Sequence, residues 1–522
     1  MFMMRLRSAA AALEILFVLS MLSALAATAD IVKRKNIDKL TPQELAAYEH
    51  AIQILKDRSK ANQYDKTGYL WQAWVHNCVS TWVPNDGKED GRPPVCNFWE
   101  GGEPEDADKA KYTLARPGMC EHAKDLFLPW HRAEFYYFEK VLQATDPDGT
   151  ITDSRGQKGP STKNLGVPYW NWTRVPSGKR YPAAFENPKS PLFDDTRAGD
   201  PIAQGSAYPF ASLYLVGYMV RFQDWPTFGG YEKSTRGGYG SFEAVTHNSM
   251  HSTYIAGHMA SPPTAALDPI FFSFHAYIDL LYEQWLQTHG KDSVTSQNLF
   301  LRGDQPDSVT PPPGFVSGAG EKSMGQVKLY FDTKALGYEF EINDDDKLIS
   351  RDELIKVLGL EDQQDPPIFG AAARSLITRL LANGGYQPKS MPDFVRTVDV
   401  AIPKSVTASQ RFFASFARND REPDLSYQMD VYLYPKAAPF DSGSEPFRNR
   451  YLTGTGVHWG TGALHNHEEI PPPMRLNISS AMSDLVKGGH GGETWSMSIA
   501  ITVVPSLTTF GTPSLVAVPP IH

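Results

Sequence analysis

The stretch from Phe242 to Glu283 constrains this chain most. It places Glu243, His247 and His251 at i, i+4 and i+8, so a helix there carries all three along one face. Asp268-Pro269 is the N-cap and first turn of a second helix that stops at Gly290 and carries His275 and, four residues on, Asp279. Imidazoles and carboxylates converging from two helices are how a helical protein builds a metal site inside a bundle. A matching group lies upstream. His76 ends an apolar helix through Leu70, Trp71, Trp74 and Val75, His122 follows Cys120 by two residues, and His131 sits in Phe127-Leu128-Pro129-Trp130-His131-Arg132.

A buried site of this kind needs a large core, and the composition supplies one. Hydrophobic residues make up 41% of the 522 positions and aromatics 12%, against 21% charged, which describes packed globular structure. A net charge of -9 spread over this length offers no basic surface for nucleic acid.

Arg5 and Arg7 precede an apolar run from Ala9 to Ala27, and Ala27-Thr28-Ala29 stands before Asp30. That is the layout of a secretory signal peptide over residues 1–29, with a single N-terminal membrane anchor as the alternative, so export to a periplasm or medium is expected. No other run has the length to span a bilayer, so no membrane association is expected after cleavage. Of the three cysteines, Cys78 and Cys96 enclose a loop rich in Pro, Gly and Asp, a natural place for a disulfide in an oxidising compartment. Cys120 is left over.

Thr41-Pro42-Gln43-Glu44 reads as a capping box opening a helix, and Phe135, Phe138 and Leu142 stripe another over Glu134 to Leu142. Residues 150–240 are loop-dominated. Val327 to Thr333 and Tyr338 to Ile342 look like strands. Asp344-Asp345-Asp346-Lys347 lacks the central glycine and final glutamate of a calcium loop. From about 391 the pattern turns to strands, at 398–402, 428–434, 475–478 and 495–504, which predicts a β-sandwich. The expected class is α+β, with a mainly helical part over 30–342 built on a central four-helix bundle, a linker over 343–390 and a sandwich over 391–522.

Imidazole-only sites suit copper, zinc, iron or nickel. Two tri-imidazole sites fit a dinuclear copper centre, where three ligands per ion leave room for a bridging diatomic, whereas zinc more often takes a carboxylate or thiolate.

Five stretches sharpen this: Phe127 to Arg132, Pro168-Tyr169-Trp170-Asn171-Trp172, His247-Asn248-Ser249-Met250-His251, Asp268-Pro269-Ile270-Phe271-Phe272, and His275-Ala276-Tyr277-Ile278-Asp279. Together they resemble the two copper motifs of the tyrosinase and polyphenol oxidase family, the type-3 copper proteins. The resemblance implies two copper ions, one on His76, His122 and His131, the other on His247, His251 and His275. It implies a thioether from Cys120 to His122, and a water held by Glu243 and Asn248 that takes the proton of a phenol. Asp279 is then a carboxylate supporting the second ion's ligands.

Leu336-Gly337-Tyr338-Glu339-Phe340 resembles the stretch that closes the family's catalytic domain. The later strands look like the C-terminal domain that keeps its longer members latent. The implied partners are small phenols and dioxygen, and the implied reaction is oxidation of phenols and catechols to o-quinones. A catechol or o-aminophenol oxidase without hydroxylation, or an oxygen carrier of the hemocyanin kind, are the alternatives. Two positions depart from the pattern. Phe274 stands where many relatives have a second histidine and either packs, the favoured reading, or narrows the substrate mouth; Ala256-Gly257-His258-Met259 replaces a double-glycine turn, where His258 is either a substrate-side base or a loop residue, so both positions are candidates for gating substrate. His458, His465 and His467 are either loop residues or aids to copper loading.

Overall fold

A computed structural model describes residues 31–62, 65–77, 120–174, 181–197, 211–231, 238–303, 305–316, 323–358, 392, 394–407, 410–416, 427–458, 474–503 and 514–518. The proposed signal segment, Cys78, Cys96, His465 and His467 lie outside them.

The helical part is built around α1 (Pro42–Ala61), α2 (Tyr69–His76), α3 (Phe127–Gln143), α4 (Leu213–Phe222) and α5 (Ile270–His289). The capping box of α1 is complete: Thr41 accepts from the Glu44 N–H, and Glu44 accepts from the Thr41 N–H. Helix α3 starts at Phe127, a full turn or more before the expected Glu134, because Pro129 falls within the first turn, where a missing N–H costs nothing. Helix α5 starts at Ile270, with Pro269 at the cap position, although Asp268 Oδ1 still accepts the Ile270 N–H at 2.9 Å. Every residue of α5 from Ile270 to Tyr282 is buried, which fits a helix apolar nearly all round.

The stretch expected as a regular helix from Phe242 is instead π-helical over Phe242–His247 and again over Met250–Ile255. The Asn248 N–H reaches back to Glu243 O and the Ala256 N–H to His251 O, five residues each. Such wide turns occur mostly at functional sites, because they rotate side chains away from the regular face. Likewise Val327–Tyr330, expected as a strand, is a 3-10 turn following the short strand Ser323–Gln326.

The two ends of the helical part meet. Strand β1 (Val32–Arg34) pairs in parallel with β4 (Tyr338–Phe340), after the hairpin of β2 (Phe300–Arg302) with β3 (Ser323–Gln326). From β1, Arg34 enters the core, donating to Glu139 at 2.7 Å and Asp279 at 2.8 Å, with its guanidinium 3.6 Å from the centre of the Tyr338 ring. Arg132 donates to the other oxygen of Asp279 at 2.5 Å, and the Tyr338 hydroxyl donates to Asp279 at 2.7 Å. This buried charge cluster ties α3, α5 and both terminal strands together.

The linker expected from 343 is packed on the helical body as far as 358. Helix α6 (Arg351–Leu358) and Ile349 join Tyr218 and Phe222 of α4 in one apolar cluster. Gly217 permits the approach, since a Cβ there would stand 2.2 Å from Ile349 Cγ2.

The C-terminal part is a sandwich of two antiparallel sheets. One runs β5 (Phe394–Ala401), β10 (Thr494–Val503), β7 (Tyr427–Pro435), β8 (Leu452–His458), and the other β11 (Ser514–Val518), β6 (Arg411–Phe416), β9 (Met474–Asn477). Strands β6, β8 and β11 are additions to the four expected; β8, with Gly454 and Gly456, has the composition of a turn. The architecture is α+β. The sandwich core, including Phe412, Met429, Val431, Met497 and Ile499, continues without a break into Ala123, Tyr239 and Ala244 of the helical part. Tyr239 Oη and His458 Nδ1 are hydrogen-bonded at 3.1 Å across that junction, and the Tyr231 ring meets Phe413 edge-on at 4.5 Å.

Candidate metal centre

Helical segments deliver five of the six histidines. His76 closes α2, His131 sits in the second turn of α3, His247 and His251 come from the π-helical stretches, and His275 lies on α5. His122 comes from the loop before α3. All except the partly exposed His122 are buried.

Among the described residues, ligand atoms within 4.8 Å of one another come from His247, His251 and His275, and separately from His76, Cys120 and His122. His131 is not in the second of these sets. Its ring lies beside it, with centroids 5.6 Å from His76 and 5.5 Å from His122, and stacks on His275 at 4.5 Å and 14°. His131 therefore stands between the two groups.

The second nitrogens decide what the rings can do. Nδ1 of His76 donates to Pro262 O at 3.1 Å, that of His131 to Phe127 O at 2.7 Å, and that of His251 to Met259 O at 3.0 Å. His247 Nδ1 donates to Asn248 Oδ1 at 2.8 Å, and His122 Nδ1 to Glu243 Oε1 at 2.8 Å. With the proton held on Nδ1, the lone pair sits on Nε2, the tautomer a metal ion needs. His131 Nε2 is buried with no hydrogen-bond partner among the described residues. His251 Nε2 and His275 Nε2 face each other at 3.1 Å.

Burial keeps these rings neutral. It drives His122 down to about 3, with the charge of Lys124 adding to the effect. It takes His76, His131, His247, His251 and His275 well below the ordinary imidazole value, with neighbouring imidazoles pushing the same way. Neutral, deprotonated nitrogen donors are what metal binding requires.

The family model for the common central domain of tyrosinase matches residues 66–214 and 206–288. A tyrosinase of Hahella sp. (strain CCB-MM4) is 26% identical over 283 residues, covering 50% of this chain and 54% of that protein. Residues 66–288 thus carry the common central domain of tyrosinase, the domain of type-3 copper proteins. Chloroplastic polyphenol oxidase A of Solanum lycopersicum is 23% identical over 335 residues, covering 57% of this chain and 44% of that protein. The chain thus spans about half the length of the curated relatives it matches. Among solved structures, latent apple tyrosinase superposes with a TM-score of 0.54 at 18% identity, covering 94% of this chain and 98% of that one. A recombinantly expressed latent aurone synthase (polyphenol oxidase) gives 0.56 at 15% identity, covering 94% and 90%. These likenesses establish the fold through the C-terminal sandwich. The cofactor is a pair of copper ions, which the two groups of neutral imidazoles fit.

The other residues singled out by sequence have defined surroundings. Glu243 is fully buried, and its Oε1 accepts from both His122 Nδ1 and the Ala123 N–H at 3.0 Å, so it touches a histidine of the upstream group. Asp279 bonds Arg34, Arg132 and Tyr338, not a histidine; four residues past His275 it points at the charge cluster. Phe274 is fully buried, lying on His247 at 5.9 Å and against His251 at 5.0 Å, so it walls the downstream triad and does not stand at an opening. His258 is ion-paired with Asp194 at 2.8 Å, which engages its ring away from the histidine groups. Cys120 is a buried free thiol that accepts from Asn77 Nδ2 at 3.4 Å. The carbonyls of Phe127, Met259 and Pro262 went unnoticed in the sequence, since a backbone oxygen leaves no signal in residue identity.

Proposed function

We propose that this chain is a copper-dependent phenol oxidase that converts phenols and catechols to o-quinones with dioxygen. The observation that carries the reading is the face-to-face placement of two groups of neutral imidazoles, with His131 stacked on His275 at 4.5 Å. We assign His76, His122 and His131 to one copper and His247, His251 and His275 to the other. When bound, the copper pair supplies dioxygen activation and accepts the electrons of the phenol.

The chain's own part is positioning and proton handling. Asn248 fixes His247 through its carbonyl oxygen, which leaves the amide N–H2 as the donor end of that side chain. Burial pushes the Glu243 carboxyl up and favours its protonated form, but ionised beside a bound copper it takes a phenolic proton through a water shared with Asn248. That step is the basis for hydroxylating monophenols. Catechol oxidation alone is a second reading, favoured by the bond that engages Glu243 Oε1 with His122. Phe274 and Phe271 line the downstream triad with apolar surface.

A thioether from Cys120 to His122 belongs to the same proposal. Forming it removes the thiol hydrogen and one ring C–H hydrogen, two electrons and two protons that dioxygen accepts. The sandwich acts as a lid that keeps the enzyme latent, supported by the continuous core and by Tyr239 with His458. Export directed by residues 1–29 completes the reading; among the described residues no helix is long and apolar enough to cross a membrane.

Oxygen uptake on tyrosine and on L-DOPA by the copper-loaded chain, intact and cut after Leu358, tests this. Uptake that rises on truncation supports the lid. Uptake on L-DOPA alone leaves a catechol oxidase, and none on either substrate defeats the oxidase reading.

A further inference from the structure

The turn after the second π-helical stretch aims two carbonyls at different triads. Met259 O holds His251, and Pro262 O holds His76. The turn is itself conformationally demanding. Ala256 has φ 55° and Gly257 φ 60°, and a non-glycine residue persists there only when its surroundings hold it.

What holds it is the short segment Asp194 to Arg197. Asp194 Oδ2 accepts from His258 Nδ1 at 2.8 Å, and Thr196 Oγ1 accepts the His258 N–H at 2.9 Å. Thr196 in turn donates its N–H and hydroxyl to Asp194 Oδ1 at 2.9 and 2.5 Å. From below, the Thr264 hydroxyl donates to His258 O at 2.7 Å. Gly257 lies so close to this segment that a Cβ would stand 2.2 Å from Thr196 O. Next in the chain, Arg197 grips Asp268 at 2.7 and 2.6 Å, just before the helix that carries His275.

We propose that Asp194 is a positioning residue for the metal centre: through His258 and Thr196 it fixes the one turn whose carbonyls orient an imidazole of each triad. The inference rests on the reading of both triads as copper ligands. If the turn relaxes, His76 and His251 lose the acceptors that set their tautomer and direction together. Removing such supporting partners weakens metal binding by about 10–100-fold. Because one turn serves both triads, both ions should weaken in parallel.

The test is equilibrium competition for Cu(II) between the copper-free chain and a chelator of known affinity, read as copper bound per chain. The wild-type chain should bind two ions; binding none defeats the ligand reading itself and the inference with it. In Asp194→Ala both ions should weaken by about 10–100-fold. Asp194→Asn keeps an acceptor for His258 and should recover most of the affinity, a rescue that general loss of stability would not show. Thr196→Val, which removes the acceptor for the His258 N–H and the hydroxyl's bond to Asp194, should move both ions the same way. Wild-type affinity in Asp194→Ala, or loss of one ion alone, overturns the proposal. Should Asp194→Ala fail to fold, Thr196→Val decides, and wild-type affinity there overturns it.

Discussion

Glu243→Gln separates the two duties open to that carboxylate. Its Oε1 accepts from His122 Nδ1 at 2.8 Å and from the Ala123 N–H at 3.0 Å. Glutamine keeps a carbonyl oxygen of the same reach and loses the charge. Burial pushes the Glu243 carboxyl up, while the Ala123 N–H and the charge of Lys124 pull it back. A copper ion on His122 adds positive charge that favours the ionised form. A hydrogen bond to a charged group contributes about 1.5–3 kcal/mol and a neutral one about 0.5–1.5 kcal/mol. The difference, about 1–1.5 kcal/mol, is roughly tenfold in affinity for the upstream copper. If Glu243 also takes the phenolic proton, the rate on tyrosine should fall by about 10²–10⁴ while L-DOPA oxidation falls far less. Copper competition and oxygen uptake on both substrates read these effects separately. Parallel losses on both substrates with weakened copper leave Glu243 as a ligand-orienting residue only. Unchanged copper affinity and unchanged rates would refute both duties.

Two further outcomes follow from buried charge. Asp279→Ala strips a carboxylate from two fully buried guanidiniums, Arg34 and Arg132, and should destabilise the helical part by about 3–5 kcal/mol in urea unfolding; a loss below about 1 kcal/mol would contradict the cluster's role. The Asp194–His258 pair should make stability pH-dependent at both ends. Burial opposes the charge on His258, but Asp194 outweighs it and holds His258 above 6.5, so its stabilisation is complete below that value and lost as pH rises through the raised one. Burial likewise works against the Asp194 charge, yet His258 and Thr196 hold Asp194 below 3.8, so its share is complete above that value and lost as pH falls through the lowered one. The melting-temperature gap between wild type and His258→Gln should therefore narrow towards both extremes; a gap constant with pH would refute this.

The legibility of the fold followed pattern strength. Helices α1, α2 and α5 and strands β5, β7, β9 and β10 carry apolar periodicity with recognisable caps or turns, so local chemistry announces them. Strand β8 was hidden because its glycines read as turn residues, yet its pairing with β7 from Tyr427–His458 to Tyr432–Leu452 makes it the strand beside Tyr239. The π-helical turns were also hidden: spacing at i, i+4 and i+8 suits a regular helix, and nothing in it reveals backbone bonds spanning five residues.

The sequence by itself determined the chemistry. Histidines in two groups, in or beside helices with aromatic neighbours, specify neutral imidazoles in a core, because residue type and local periodicity are properties of short stretches. Only the tertiary structure decided what each supporting residue touches. Asp279 lies four residues past His275 yet serves Arg34 from 245 positions away, and Glu243 reaches back 121 positions to His122. Asp194 and the carbonyls of Met259 and Pro262 meet the triads through a turn that no motif marks. Hydrogen-bond partners are selected by distance in space, and distance in space is fixed only when the whole core has packed.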